Sequence, residues 1–530
     1  MTLKSPHKDW KINILAVPDA RAVGVDQLMT QLWLRVAYDN RTTTTTREPY
    51  RKVVQLAGKI ESSRRTPDFV GFEPGTGVAE AWLRADLLRV FKRDPDLFAV
   101  ARPLHLPATR LRNMAKAGDS GASGIVYAWL LDEAPELLAE LKDWIDVDVD
   151  DPKAVSREDL PSFALARLAA DEEPDTVKTT EFPLPRPLCR MQGKLYTEDL
   201  RNLLAYRGKL PRPVLVEHVG RLTALHLGLY LLRTYKAVVD IERTGRLACV
   251  ECRRDRRDDT ADAPMHCPYD LELVVDCGED ARSASARLAN ASWVAQEEHI
   301  AKYVRAHLTL KKLEELEDGL GKRPLPTDTL EDIAAVRQKA PRGRLDDKAR
   351  DRITSLLNES STEERQQLVE TRRQYTQLGL SDFETYMALL FQSGERRWFN
   401  YLRFLLDSLF LKNEPDGLLR QPLGGRRVRR FALSAGILET LALVALVQPT
   451  ERGLETRPVR LDQLIDRLVD RYGMLVARPP GDQKDDPAAV NAMLDNQRML
   501  RKRLRESGLF VDLSDAFLGQ MLKPRVEVRR

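Results

Sequence analysis

Cysteine, histidine and aromatic side chains are scarce in this 530-residue chain: 5 Cys, 7 His and 6% Phe, Trp and Tyr. The signatures of common catalysts are missing as well. There is no H-E-x-x-H, no H-x-E, no phosphate-binding G-x-x-x-x-G-K-[ST] and no G-x-S-x-G. The glycine-rich stretches 71–77, 118–124 and 319–323 lack those spacings and read as turns. An EF-hand starting at Asp146 would need glycine sixth and glutamate twelfth, but Asp151 and Arg157 stand there. His218 and His226 lie eight apart, as do His299 and His307, which puts each pair on one helix face but too far apart to share a metal. The longest apolar run, Phe431–Val447, is 17 residues with Glu439 inside it, short for a membrane span and suited to a buried helix. No signal peptide is visible at the first residues, and few cysteines fit a reducing interior, so a cytoplasmic location is expected. The net charge of +4 is small for this length, so any nucleic-acid contact must rest on local patches.

Four of the five cysteines fall between 249 and 277. Cys249 and Cys252 form a C-x₂-C pair, Cys267 follows after 14 residues and Cys277 after nine more, while Cys189 stands apart. The polar segment 253–266 has no core of its own, and four thiolates satisfy tetrahedral zinc. A structural zinc on Cys249, Cys252, Cys267 and Cys277 is therefore expected, with His266 able to replace one thiolate. The second pair, C-x₉-C, departs from ribbon spacing, and reduced thiols without metal are the competing reading. A zinc deaminase is disfavoured, since its H-x-E and P-C-x-x-C are missing.

Apolar periodicity predicts a mainly α, multidomain protein. Four segments are expected: an α/β or mainly α domain at 1–188; a helical domain at 189–325 with the cysteine module at about 245–280; a helical domain at 326–413; and a C-terminal domain at 414–530. Residues 11–17 read as a strand, 24–39, 47–62 and 78–91 as helices, and 146–187 as a boundary or loop. Residues 212–241 and 279–316 read as long helices with the zinc module inserted between them. In the last segment, helices at 431–447, 459–472 and 491–507 precede a hairpin, with Gly508 placed as a helix C-cap. Three helices followed by two strands is the order of a winged helix.

That order gives meaning to two basic clusters. Arg420, Arg426, Arg427, Arg429 and Arg430 occur with no acid among them, as do Arg498, Arg501, Lys502, Arg503 and Arg505. Arg498, Arg501, Lys502 and Arg505 share a face of the third helix, where a winged helix places its recognition element. Arg426, Arg427, Arg429, Arg430, Arg498, Arg501, Lys502 and Arg505 are the expected contacts to duplex DNA. A solvated face, or a patch for an acidic protein partner, is the alternative.

Tyr472-Gly473, Arg503-Leu504-Arg505, Gly508-Leu509 and Asp512-Leu513-Ser514-Asp515-Ala516 resemble the tail of accessory, non-ATPase subunits of bacterial multigene anti-phage systems, such as methylation-associated defence systems. The resemblance covers the C-terminal fifth. It implies a partner-dependent role beside modification or ATPase subunits and carries over no catalytic residue. The expectation is a DNA-binding or scaffolding subunit of a multi-subunit defence assembly, with protein partners, structural zinc and no membrane. The alternatives are a metal-dependent nuclease or hydrolase with dispersed carboxylates, Glu272 and Asp276 among the candidates, or a pure protein–protein adaptor.

Overall fold

The computed structural model describes residues 24–529 apart from 45–51, 64–70, 91–93, 107–120, 146–159, 170–177, 182–183, 186, 250–266, 317–341, 423–427 and 513–519. The chain is mainly helical. Its helices are α1 (Val25–Ala37), α2 (Val53–Glu61), α3 (Val78–Trp82), α4 (Ala122–Glu133), α5 (Pro135–Ile145), α6 (Leu160–Ala169), α7 (Arg190–Leu204), α8 (Arg212–Thr244), α9 (Ala284–Leu316), α10 (Arg342–Glu359), α11 (Thr362–Gln377), α12 (Asp382–Leu409), α13 (Ala435–Leu446), α14 (Leu461–Tyr472) and α15 (Pro487–Glu506). No helix among the described residues is long and apolar enough to cross a membrane. The expected strand at 11–17 and the linker around 319–328 lie outside the described residues.

The molecule is organised around α8. Every residue from Leu222 to Tyr235 on it is buried, so it is wrapped on all sides rather than on one stripe. It starts with proline at its first turn and stops at Gly245, whose φ of 76° closes the helix in the left-handed conformation. Gly228 sits against the Phe410 ring, where an added Cβ would lie 2.5 Å from a ring carbon. Helix α9 packs along α8, with the Tyr235 and Tyr303 rings 4.6 Å apart. The largest buried cluster runs from Leu28 to Val528, so one core crosses the segment borders at 188, 325 and 413. A satellite core forms around Val53, Leu83, Leu88 and Leu165.

Three local readings change. The helix expected over 78–91 breaks at a π-turn, Leu83–Leu87, and becomes strand β2 (Leu88–Val90), because these residues pair antiparallel with β3 (Phe98–Ala101). The loop expected over 146–187 contains α6 and strand β4 (Lys178–Glu181), which pairs with the threonine-rich β1 (Arg41–Thr44). The helix expected from Phe431 begins at Ala435, because Arg430–Phe431 (β7) pairs with Leu419–Arg420 (β6).

The last segment is assembled in a definite order. After α13 come the hairpin β8 (Val447–Thr450) and β9 (Gly453–Thr456), then β10 (Val459–Arg460), α14, β11 (Met474–Leu475), α15, β12 (Phe510–Asp512) and β13 (Gln520–Leu522). The sheet order is β10-β13-β12, all antiparallel. Separately, β11 pairs parallel with β5 (Leu273–Val274), the strand that leaves the cysteine module. This tie fixes the module's exit on the C-terminal segment.

Candidate nucleic-acid surface and cysteine cluster

Helix α15 is built to present one face and bury the other. Asp486 caps it by accepting the Ala488 N–H at 3.0 Å, Pro487 opens it, and Gly508 follows its end at φ 68°. Ala489, Ala492, Met493, Leu500 and Leu504 face inward. Asn496, fully buried, donates to Val275 O at 2.8 Å and Val476 O at 2.9 Å and accepts the Cys277 N–H at 2.7 Å. Arg503 also turns inward, its Nε on Cys277 O at 2.5 Å. The outer face carries Arg498, Lys502 and Arg505. Their acidic neighbours are Asp495, 2.6 Å from Arg498, and Glu506, 3.8 Å from Lys502. Such exposed pairs are worth about 0–1 kcal/mol, so a phosphate can replace the carboxylate at little cost. Leu494 and Met499 are exposed on the same helix. Arg501 is half-buried in a cleft with Arg460, Asp462, Gln497 and Gln520, and its buried Nε has no hydrogen-bond partner among the described residues.

The other basic cluster divides. Arg426 and Arg427 lie outside the described residues. Arg429 and Arg430 are buried and paired, so they correct the expectation of phosphate-facing side chains. Arg429 stacks 5.2 Å over the Trp293 ring and bonds Asp407 at 3.0 Å. Burial lowers its pKa, against the pull of Asp407. Arg430 Nε lies 2.9 Å from Asp276, which is itself fully buried. Asp276, a candidate nuclease carboxylate, is thereby consumed: it also accepts the Ser285 hydroxyl at 2.8 Å.

The cysteines also divide. Cys189, Cys249, Cys267 and Cys277 form no disulfide, and Cys252 and His266 lie outside the described residues. Cys277 is buried at the foot of α15, where burial pushes its thiol up to about 12. The Cys189 and Cys249 side chains, with burial, push the Cys267 thiol far above its usual range. Cys189, set apart in sequence, is thus brought to the other two. Among the described residues no group of three or more His, Cys, Asp or Glu side chains is placed to hold a metal ion.

A third constellation had no sequence signal. Asp199 on α7, 1% exposed, accepts from His226 Nε2 at 3.0 Å, Tyr472 Oη at 2.7 Å and Arg471 at 2.6 Å. The Gln192 amide contacts His226 Nδ1 at 2.6 Å, and the Gln192 carbonyl accepts from Arg233. His226 is therefore the neutral Nε2–H tautomer, consistent with burial lowering its pKa against the pull of Asp199. Burial opposes the Asp199 charge, yet the His226, Arg471 and Tyr472 contacts hold it below the usual carboxylate range. A cleft of about 460 Å³ opens beside Asp199, Asn202, Arg467, Arg471 and Tyr472. Through these contacts the network acts as a keystone joining α7, α8 and α14.

No curated protein and no solved structure matches the chain. A family model described as "Methylation-associated defense system protein MAD7" matches residues 6–526, so the likeness extends far beyond the C-terminal fifth. The chain belongs to that family and is a protein of a multi-protein methylation-associated defence system.

Proposed function

We propose that the chain contacts duplex DNA through α15 and serves as a scaffolding subunit of its defence system. The observation that carries this reading is the exposed stripe of Arg498, Lys502 and Arg505 on the last helix before a hairpin. The surrounding order supports it. Helix α13, strand β10, helices α14 and α15, and the pair β12–β13, with β10 against β13, have the order a winged helix needs, with the hairpin β8–β9 and the strand β11 added between them. In that arrangement the third helix enters the major groove and its basic residues meet phosphates. The buried face of α15, pinned by Asn496, would hold the helix rigidly on the body. A zinc at the cysteine module would act as a brace, since four protein ligands leave no open position for catalysis.

The test is duplex binding by the full-length protein and by Arg498→Ala/Lys502→Ala/Arg505→Ala, followed by fluorescence anisotropy. The variant should bind any duplex more weakly, whatever its sequence, because phosphate contacts carry little sequence information. An unchanged affinity would remove the DNA-binding reading. A second reading, a protein adaptor, is favoured by Leu494 and Met499, exposed at 47% and 41% among the basic residues. It predicts that Leu494→Ser/Met499→Ser loses a co-purifying subunit of the defence system while duplex affinity stays weak in both proteins.

A further inference from the structure

We propose that the groove between α9 and α12 docks an acidic amphipathic helix of another protein subunit of the defence system. The proposal rests on the scaffolding half of the reading above and not on the DNA contact. Five aromatic residues, Phe391, Trp398, Phe399, Tyr401 and Phe404, fall within fourteen positions of α12, in a chain that is 6% aromatic. None of the five is buried: Phe404 is 51% exposed and the other four are half-buried. Aromatic rings left at the surface in such density mark a contact face rather than a core.

The groove is built from rows of residues four apart. On α12 one row is Phe391, Glu395, Phe399 and Arg403, and the row beside it is Gln392, Arg396, Asn400 and Phe404. On α9 the facing row is Glu297, Ala301 and Arg305. Two ion pairs join the rows: Arg305 grips Glu395 at 2.7 and 3.0 Å, and Arg403 lies 3.6 Å from Glu297. The higher number on one helix pairs with the lower on the other, so the helices run antiparallel. Between the two pairs stands Ala301, whose small side chain leaves a depression of about 360 Å³, lined by Ala301, Phe391, Gln392, Glu395, Arg396 and Phe399. Val294, 44% exposed, lies one heptad before Ala301 and so on the same side of α9.

The chemistry of the groove selects its occupant. An elongated groove between two helices, with phenylalanine walls and a hole at one small residue, takes apolar side chains from a third helix laid along it. The Arg305 guanidinium lies 5.5 Å from the Phe391 ring centroid, and that of Arg403 lies 5.8 Å from both Phe399 and Phe404. These contacts and the ion pairs hold the rim in place before a partner arrives, which lowers the cost of ordering it on binding. They also occupy ring faces that a nucleobase would stack on, so the face suits a protein better than a single strand. Glu395 and Glu297 are each bound to an arginine. Arg396 is exposed, lines the depression and has no carboxylate partner among the described residues, and Arg397 beside it is exposed as well. The charge left to be met is positive, which calls for a carboxylate next to the partner's apolar anchor.

The probes are the other protein subunits of the system, each purified and measured one at a time against the immobilised full-length chain by biolayer interferometry. One of them should bind. Ala301→Leu, which fills the hole, and Arg396→Glu, which reverses the charge at an exposed position, should each weaken that binding at least about tenfold. Both variants should keep wild-type duplex affinity, and Arg498→Ala/Lys502→Ala/Arg505→Ala should keep the subunit, so the groove and the DNA contact stand or fall separately. If Ala301→Leu disturbs the packing of α9 on α12, Arg396→Glu decides alone. A subunit that binds and tolerates Arg396→Glu would overturn the proposal alone, and the absence of any binding subunit would remove the scaffolding reading with it. Self-association of the chain that is lost in Arg396→Glu, or binding of an oligothymidylate that is lost in the same variant, would assign the groove to another occupant and refute the proposal.

Discussion

Lowering the pH from about 7.5 to about 5 should destabilise this protein through its buried histidines, His218 and His307 among them, and His307→Leu should remove about 2 kcal/mol of that loss. His218 and His307 are each 3% exposed, and burial lowers both to about 4. Arg221 adds to the lowering at His218 against Asp416, and Lys311 adds to it at His307. In the unfolded chain each returns to its ordinary value near 6.5. The unfolded state therefore binds more protons than the folded one between the two values. The stabilisation from each neutral imidazole is complete above the unfolded value and is lost as pH falls toward 4. At about pH 5 each histidine accounts for about 2 kcal/mol of lost stability. His307→Leu is a clean probe because, among the described residues, His307 Nε2 has no hydrogen-bond partner and its Nδ1 a long contact, 3.4 Å, to Tyr303. Urea unfolding of both proteins at the two pH values gives the double difference, which cancels carboxylate effects common to both. The variant should lose about 2 kcal/mol less than wild type on acidification. Identical pH dependence in the two would refute the assignment of His307 as a buried neutral group.

The remaining predictions concern the keystone and a close approach. Asp199→Ala should cost about 3–5 kcal/mol in urea unfolding, because it strands the Arg471 charge and leaves His226 and Tyr472 donors unpaired; a loss under about 1 kcal/mol would deny the network that role. Gly473→Ala should cost about 1–3 kcal/mol and speed hydrogen exchange at Leu273, since Gly473 sits at φ 67° and its new Cβ would lie 2.2 Å from Leu271 O; native exchange at Leu273 would contradict this.

What could be read from sequence was what repeats locally. Helices α8, α9 and α15 announce themselves by apolar spacing and by Gly245 and Gly508 at their ends. In the last segment α14 and α15 and the closing strand pair β12–β13 were legible, while β8–β9, β10 and β11 were not. Long-range pairing was not. Residues 78–91 have helical spacing throughout, yet β3 recruits Leu88–Val90 as a strand partner. Arg429 and Arg430 look solvated because no acid stands near them in sequence, while their acids, Asp407 and Asp276, arrive from α12 and from the end of the cysteine module. Cysteine spacing gave no hint of where Cys277 lies: it is ten residues from Cys267 in sequence, yet its backbone N–H is held by Asn496 on α15. The Asp199 network joins residues over 270 positions apart, so nothing local signals it.

The central claim, that α15 meets duplex phosphates, is tested most directly by the salt dependence of binding. Full-length wild type and Arg498→Ala/Lys502→Ala should be titrated with a duplex across a range of salt concentrations. Wild-type affinity should fall steeply and linearly on logarithmic axes, and the double variant should show a slope shallower by about two, one per lost phosphate contact. A wild-type affinity that ignores salt, or equal slopes in the two proteins, would contradict the account.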